Sequence, residues 1–379
     1  MKYNLSDICE YVKDKVDVTI LDDKTYISTE NMVPNKGGIT SASSLPTIAL
    51  TQAFLAGDVL VSNIRPYFKK IWFAEFDGGC SNDVLVFRAK EGIHKRFLYY
   101  ILADDNFFNY SMATSKGTKM PRGDKVAIMK YEVPDFTYDE QIRISRLLEL
   151  LDRKIQVNKA INENLEQQAH ALFRSLFPNF MSNGVSMSSI IDVRDGTHDS
   201  PKTKNSGYFL ITSKHLDAYC VNKKEANTIS EEDYQQINKR SKVEYGDILI
   251  SMIGTVGIIS LVSDEIIDYA IKNVGLFKTS QNELLRFYVL NYLKSTEVSK
   301  YIEQHLAGST QKYISLMELR KLPINIPSDE KLIEYNSIVI PIYGEIITRS
   351  NENRRLAVLR DTLLPKLMNG EIDVSAVQI

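Results

Sequence analysis

The chain has 379 residues, a formal net charge of −2 and 25% charged residues, so it has room for two or three domains and is not a uniformly basic nucleic-acid coat. Any nucleic-acid contact must come from local patches. Cys9, Cys80 and Cys220 are scattered without a C-x-x-C pair, which argues against a disulfide framework or a zinc site and for a reducing, cytoplasmic setting. The opening MKYNLSDICEYVKD has no apolar run, and no eighteen-residue apolar stretch occurs, so neither a signal peptide nor a membrane span is expected.

Taken in order, residues 1–133 form a first globular part. Asp17–Leu21, Val59–Asn63, Ile71–Phe76 and Val84–Arg88 are short β-rich runs bounded by Gly, Asp and Asn, and they predict strands. Arg96–Ala103 and the dozen residues after it predict helix, followed by a polar loop over Thr114–Gly123. Residues 134–180 are dominated by one long helix. Its apolar positions alternate at spacings of four and three: Ile144, Leu148, Leu151, Ile155, then Asn158 and Asn162, then Leu165, Ala169, Leu172 and Leu176. That is a coiled-coil heptad with a polar layer, about 60 Å long at 1.5 Å per residue. A rod of this length needs a partner along its seam.

Residues 181–325 form a second globular part. Strands are expected at Tyr208–Thr212, Asp247–Ile253 and Gly257–Val262, helix at Leu285–Gln304, and a loop at Ala307–Lys312. Residues 326–379 carry a second long helix beginning after Ser328-Asp329, a favourable N-cap. Its seam reads Leu332, Val339, Ile342, Ile346, Arg349, Asn353, Leu356, Leu363 and Leu367. Pro341 is expected to kink or break it.

The two halves repeat. Gly57-Asp58-Val59-Leu60-Val61-Ser62 returns 189 positions later as Gly246-Asp247-Ile248-Leu249-Ile250-Ser251. Arg96-Phe97-Leu98-Tyr99 returns as Arg286-Phe287-Tyr288-Val289, Gly117-Thr118-Lys119 as Gly308-Ser309-Thr310, Val133-Pro134 as Ile326-Pro327, and Asn162-Glu163-Asn164 as Asn351-Glu352-Asn353. Five matches in one order at nearly constant spacing indicate a tandem duplication. The fold class expected is α+β: two β-rich globular domains in pseudo-symmetric repeat, each followed by a long helix, with the helices pairing as an antiparallel coiled coil. Asn158 and Asn162 facing Arg349 and Asn353 would set the register of that pair.

No enzymatic apparatus is legible. The chain lacks a G-x-x-x-x-G-K-[ST] loop, a G-x-G-x-x-G motif, a Pro-Pro dipeptide and an E-x-K pattern, and its five His residues show no metal spacing. The functional signal lies in loops that combine Gly, hydroxyls, amides and base. Thr197, His198, Ser200, Lys202 and Lys204, with Lys214 nearby, form one group. Lys116, Thr118, Lys119 and Arg122 form a second, and Ser309, Thr310, Gln311 and Lys312 a third at the matching place in the repeat. Arg65, Tyr67, Lys69 and Lys70 form a fourth, where base and aromatics interleave. Such residues neutralise phosphates and read base edges, so all four are candidate DNA contacts. Each loop alone also reads as a solvated turn, and the chain as a non-DNA scaffold of two interaction modules on a spacer.

GTHDSPK at 196–202 followed by FLITSKHL at 209–216, YISTENM at 26–32, the closing stretches GTKMPRGDKVAIMKYEVP at 117–134 and GSTQKYISLMELRKLPINIP at 308–327, and the helices INENLEQQAHALFRSLF and SNENRRLAVLRDTLLPKLMNGEI together resemble the specificity subunit of Type I restriction-modification enzymes. The first domain departs from that pattern by lacking a GTH motif. The resemblance implies that each globular part is a target-recognition domain reading one half of a split double-stranded DNA target. The helices would set the spacing, in steps related to the helical turn of about 34 Å or 10 base pairs. They would also dock two methyltransferase subunits, with Leu147, Leu150, Phe173 and Phe177 as off-seam candidates for that contact; the competing reading is that these four widen the same core. The chain itself would be a non-catalytic recognition subunit binding no cofactor. S-adenosylmethionine, and ATP with Mg where a restriction (motor) subunit joins, would belong to the partners.

Overall fold

The computed structural model describes residues 2–374. It divides into two units, residues 1–156 with 354–379 and residues 157–353, so that each unit holds one globular part together with a stretch of each long helix.

In the first unit, Cys9–Tyr11, Val84–Ala89, Val59–Ser62 and Ile71–Phe73 lie side by side in an antiparallel sheet. In the second unit, Val193–Asp195, Val274–Phe277, Ile248–Ser251 and Ile259–Leu261 follow the same order with the same antiparallel pairing. Both sheets are built on the repeated Gly-Asp-apolar-Leu-apolar-Ser strand, and its continuous apolar run has a clear cause. Val59 and Val61 pack toward helical residues such as Leu98, Ile101, Ile144 and Leu148, while Leu60 packs on the other face with Phe54 and Trp72. Ile248 and Ile250 likewise face Phe173 and Tyr288, and Leu249 faces Ile211 and Leu276. A strand covered on both faces cannot alternate with polar residues.

The opposite face is covered by a second sheet. In the first unit it contains Lys15–Asp17, Leu50–Phe54, Gly78–Cys80 and Tyr26–Ile27, the last pair parallel. In the second unit it contains Asn227–Ile229, Tyr208–Ile211 and Tyr269–Ile271, again ending in a parallel pair. A small antiparallel pair closes each globular part: Lys2–Asn4 with Glu132–Pro134, and Val185–Ser186 with Pro323–Ile324.

The central helix spans Tyr138–Leu176 and the C-terminal helix Asp329–Met368. Within each unit their stretches pack antiparallel. In the first, Ile144 and Leu148 share a core with Leu364, Leu367 and Met368, and Asp152 accepts from Arg360 at 2.7 Å. In the second, Phe173 and Ala169 share a core with Tyr335, Val339 and Tyr343. The polar layer belongs to the second unit. Asn158 Nδ2 donates to Asn353 Oδ1 at 2.9 Å and to Glu352 at 2.7 Å, and Arg349 donates to Asn158 Oδ1 at 3.1 Å. Asn162 Nδ2 donates to Ser350 Oγ at 3.0 Å and to the Ile346 carbonyl at 3.2 Å.

Four expectations need correction. The C-terminal helix is continuous through Pro341. The Ser337 carbonyl, which loses its helical donor, lies on the exposed side and water can satisfy it. The strand expected at Asp17–Leu21 ends at Asp17, whose carboxylate accepts from Thr19 N at 2.9 Å and turns the chain into a short 3₁₀ helix. Leu285–Gln304 is two helices, Arg286–Leu293 and Thr296–Gln304, because Ser295 caps the second one. Phe173 and Phe177 are not on a free helix face. They are 0% and 6% exposed, packed with Tyr288 and Tyr335, and so widen the internal core. Leu147 is half-buried on the first core, whereas Leu150 is exposed.

Candidate nucleic-acid interface

Two of the four candidate loops meet in the first unit. The turn after strand Val59–Ser62 and the loop Lys116–Arg122 are clasped by main chain. Arg65 N donates to the Pro121 carbonyl at 2.8 Å, Ile64 bridges to Arg122, and Lys116 and Arg122 exchange hydrogen bonds of 2.9 Å. The clasp brings Arg65, Tyr67, Thr118, Lys119 and Arg122 to one surface. Tyr67 and Phe68 are exposed with ring centroids 4.7 Å apart. Lys119 is exposed at the loop tip, and among the described residues no carboxylate pairs with it.

The other bases of these loops are already committed. Lys69 donates to Asp105 at 2.8 Å, and Lys70 to the Thr29 carbonyl at 2.6 Å. Burial lowers the Lys70 pKa. Lys116 pairs with Asp124 at 2.7 Å, and its hydrogen bond, with those from the backbone of Ala127 and Val126, holds that carboxyl at about 2. Arg122 reaches Asp83 at 3.2 Å while staying half exposed.

The second unit repeats the clasp. Ile253 bridges to Tyr313, and Ala307 and Tyr313 exchange hydrogen bonds of 2.9 Å. Ile64, Lys116 and Arg122 thus correspond to Ile253, Ala307 and Tyr313. Ser309, Thr310, Gln311 and Lys312 all lie exposed on the loop that this clasp closes. Beside it, a cleft of about 350 Å³ is lined by Asp195, His198, Met252, Asn273 and Tyr313, and another of about 330 Å³ by Thr212, Lys214, Gly254, Thr255 and Asn273. Asn273 borders both.

His198 is held rather than free. One ring nitrogen lies 3.0 Å from the buried Asp195 carboxylate, the other 2.7 Å from Asn273 Oδ1, and Arg240 pairs with the second Asp195 oxygen. Thr197 is fixed through its backbone, its N–H donating to the Ile271 carbonyl at 3.0 Å. Ser200 accepts from Lys272. Lys202 is exposed further along, and Lys204 N donates to the Thr228 carbonyl at 2.8 Å, away from both clefts. Sequence reasoning missed Asn273, Thr255 and Tyr313. Tyr313 could have been found by extending the repeat to Arg122. Asn273 had no local signal, since its place depends on the left-handed backbone (φ 52°) leading into strand Val274–Phe277.

Two β-rich units with matching clasps, each built against paired long helices, define a duplicated recognition protein. The sequence profile of the type I restriction modification DNA specificity domain matches residues 1–167 and 185–341, so the chain belongs to that family. It is 23% identical to the specificity subunit of the HindI Type I restriction enzyme of Haemophilus influenzae, over 98% of this chain and 99% of that one. It is also 23% identical to the MjaIX specificity subunit of Methanocaldococcus jannaschii, over 75% of this chain and 71% of its relative. Among solved structures, the S subunit of a Type I restriction-modification system from M. genitalium matches with a TM-score of 0.51 at 16% identity, covering 97% of this chain and 96% of that one. Among the described residues, no helix is long and apolar enough to cross a membrane.

Proposed function

We propose that the chain is the DNA sequence-specificity subunit of a Type I restriction-modification complex. Each globular part reads one half of a bipartite double-stranded target. The paired helices set the unread spacer and dock two methyltransferase subunits, with exposed Leu150 as one contact candidate. A restriction subunit joins where the system cuts. The chain does no chemistry itself and holds no cofactor. S-adenosylmethionine, and ATP with Mg, act on the partners, in the cytoplasm where the DNA is.

The observation that carries this reading is the duplicated clasp, which presents hydroxyls, amides and base from equivalent loops of both units. The near-neutral net charge fits a subunit whose phosphate contacts are shared with partners. The test is a methylome. The chain is produced with its methyltransferase subunit in a methylation-free host and modified adenines are mapped. A split motif with a fixed gap is expected, and exchanging residues 1–133 should alter one half only. A soluble complex that modifies no split motif would point to a scaffold instead.

A further inference from the structure

The turn that follows the repeated strand differs between the units in a way that isolates one side chain. In both units the strand's terminal Ser N–H closes the turn: Ser62 donates to the Lys70 carbonyl and Ser251 to the Ile258 carbonyl, each at 3.0 Å. Between these anchors both turns need two left-handed residues. The second unit uses glycine at both places, Gly254 (φ 83°) and Gly257 (φ 92°). The first unit, one residue longer, puts Arg65 (φ 49°) and Lys69 (φ 50°) there. A side chain in this conformation is strained, and strain of this kind persists where the surroundings over-determine it and a function uses it.

For Lys69 a structural use is visible, since its ammonium and that of Lys36 clamp Asp105 at 2.8 and 3.0 Å. Arg65 has none. Its Nε is buried without a hydrogen-bond partner, and among the described residues nothing accepts from its guanidinium. A desolvated donor left unmade is unfavourable, so the site is built for an acceptor absent from the chain. The turn around it is stiff. Asn35 N donates to the Phe68 carbonyl at 2.8 Å, Lys36 N to the Lys69 carbonyl at 2.9 Å, and Arg65 N to Pro121. Stiffness favours a planar, directional acceptor over a diffuse negative charge, which the exposed Lys119 on the clasped loop could meet.

We infer that Arg65 is a specificity-determining residue, reading a guanine edge (the O6 and N7 acceptors) in the half-site bound by the first unit. The assignment rests on the recognition role proposed above. Gly254 leaves the same place empty in the second unit, so the two halves are read differently at this position.

The test replaces Arg65 by the residue that the repeat carries, R65G, alongside R65K, in the complex with the methyltransferase subunit. R65G relieves the backbone, so the purified chain should melt no lower than the parent. In the methylome, one guanine in one half-site should become degenerate, its preference falling from about tenfold or more to under about threefold. The other half should not change, and R65K should recover the guanine only in part. An unchanged motif overturns the assignment. So does uniformly slower methylation at the parent motif, which would make Arg65 a phosphate ligand, or a lowered melting temperature, which would make it structural. A parent that modifies no split motif sinks the recognition role and this assignment together, whereas a split parent motif unaltered in R65G sinks the assignment alone.

Discussion

Asp58 in the first unit and Asp247 in the second sit at the same place in the repeat, and their surroundings differ in an instructive way. Both are buried, and both cap the preceding turn, accepting from Leu55 N at 2.8 Å and Glu244 N at 2.7 Å. Asp58 is neutralised by Arg88, whose guanidinium spans 2.7 Å to Asp58 and 3.4 Å to Asp14 and remains 29% exposed. Asp247 is neutralised by Lys278 at 2.6 Å, only 3% exposed, which also meets Glu244 at 2.9 Å. The interior demands a cation opposite a buried carboxylate but not a particular one. The outer turns have no such demand and have diverged, one bearing Arg65, Tyr67 and Phe68, the other Gly254 and Thr255. Conserved interior geometry with free surface chemistry is what a protein needs if each unit must read a different sequence.

The largest expected effect breaks the buried pair. D247N leaves the Lys278 charge without its main partner in a closed interior and should destabilise the second unit by about 3–5 kcal/mol. D58N should lose less, about 1–3 kcal/mol, because Arg88 can turn to water and to Asp14. Urea unfolding of the full-length chain measures both, and equal losses would remove the distinction. Inserting four helical residues after Asn158 tests what the two units share. The unread spacer should change while both half-sites stay as they were, and a methylome with an unchanged gap would rule out the helices as ruler.

Smaller effects compare the two loops. K119A and K312A should each weaken DNA binding at all sequences and reduce the salt slope by about 1. Titrations of the complex at several salt concentrations would reveal it, and parental binding by both variants would take the loops out of the interface. The smallest effect is on acid stability. Hydrogen bonds from Lys278 and Lys242 hold the Glu244 carboxyl at about 2, below its ordinary value of 4.5. Its contribution is complete above about 4.5 and lost as pH falls toward 2. E244Q should therefore flatten the fall in melting temperature over that window and leave neutral pH little changed.

Much of this architecture is legible without coordinates because periodicity and repetition are local signals. The heptad over Ile144–Leu176 reports a helix wherever its partner lies, and the five repeated motifs report two copies however each one folds. Side chains that answer to distant neighbours are another matter. Phe173 and Phe177 lie off the seam and read equally as a docking face or as a wider core, and only Tyr288 and Tyr335, more than a hundred residues further along the chain, decide for the core. Lys69 and Lys70 read as DNA contacts in an interleaved run, yet Asp105 and the Thr29 carbonyl occupy them. Asn273 carries no motif and still borders both clefts.

By itself the sequence determined a duplicated α+β chain with two long helices, a polar layer in their seam and hydroxyl- and base-rich loops at matching places. These follow from hydrophobic period and from turn chemistry, which act over a few residues. Only the tertiary structure decided which of those loops meet, which charges are already neutralised and which guanidinium is left without an acceptor. Such facts depend on backbone pairings such as Ile64 with Arg122 and Ile253 with Tyr313, about sixty positions apart, and on burial, which turns an unmade hydrogen bond from a harmless detail into a demand for a partner.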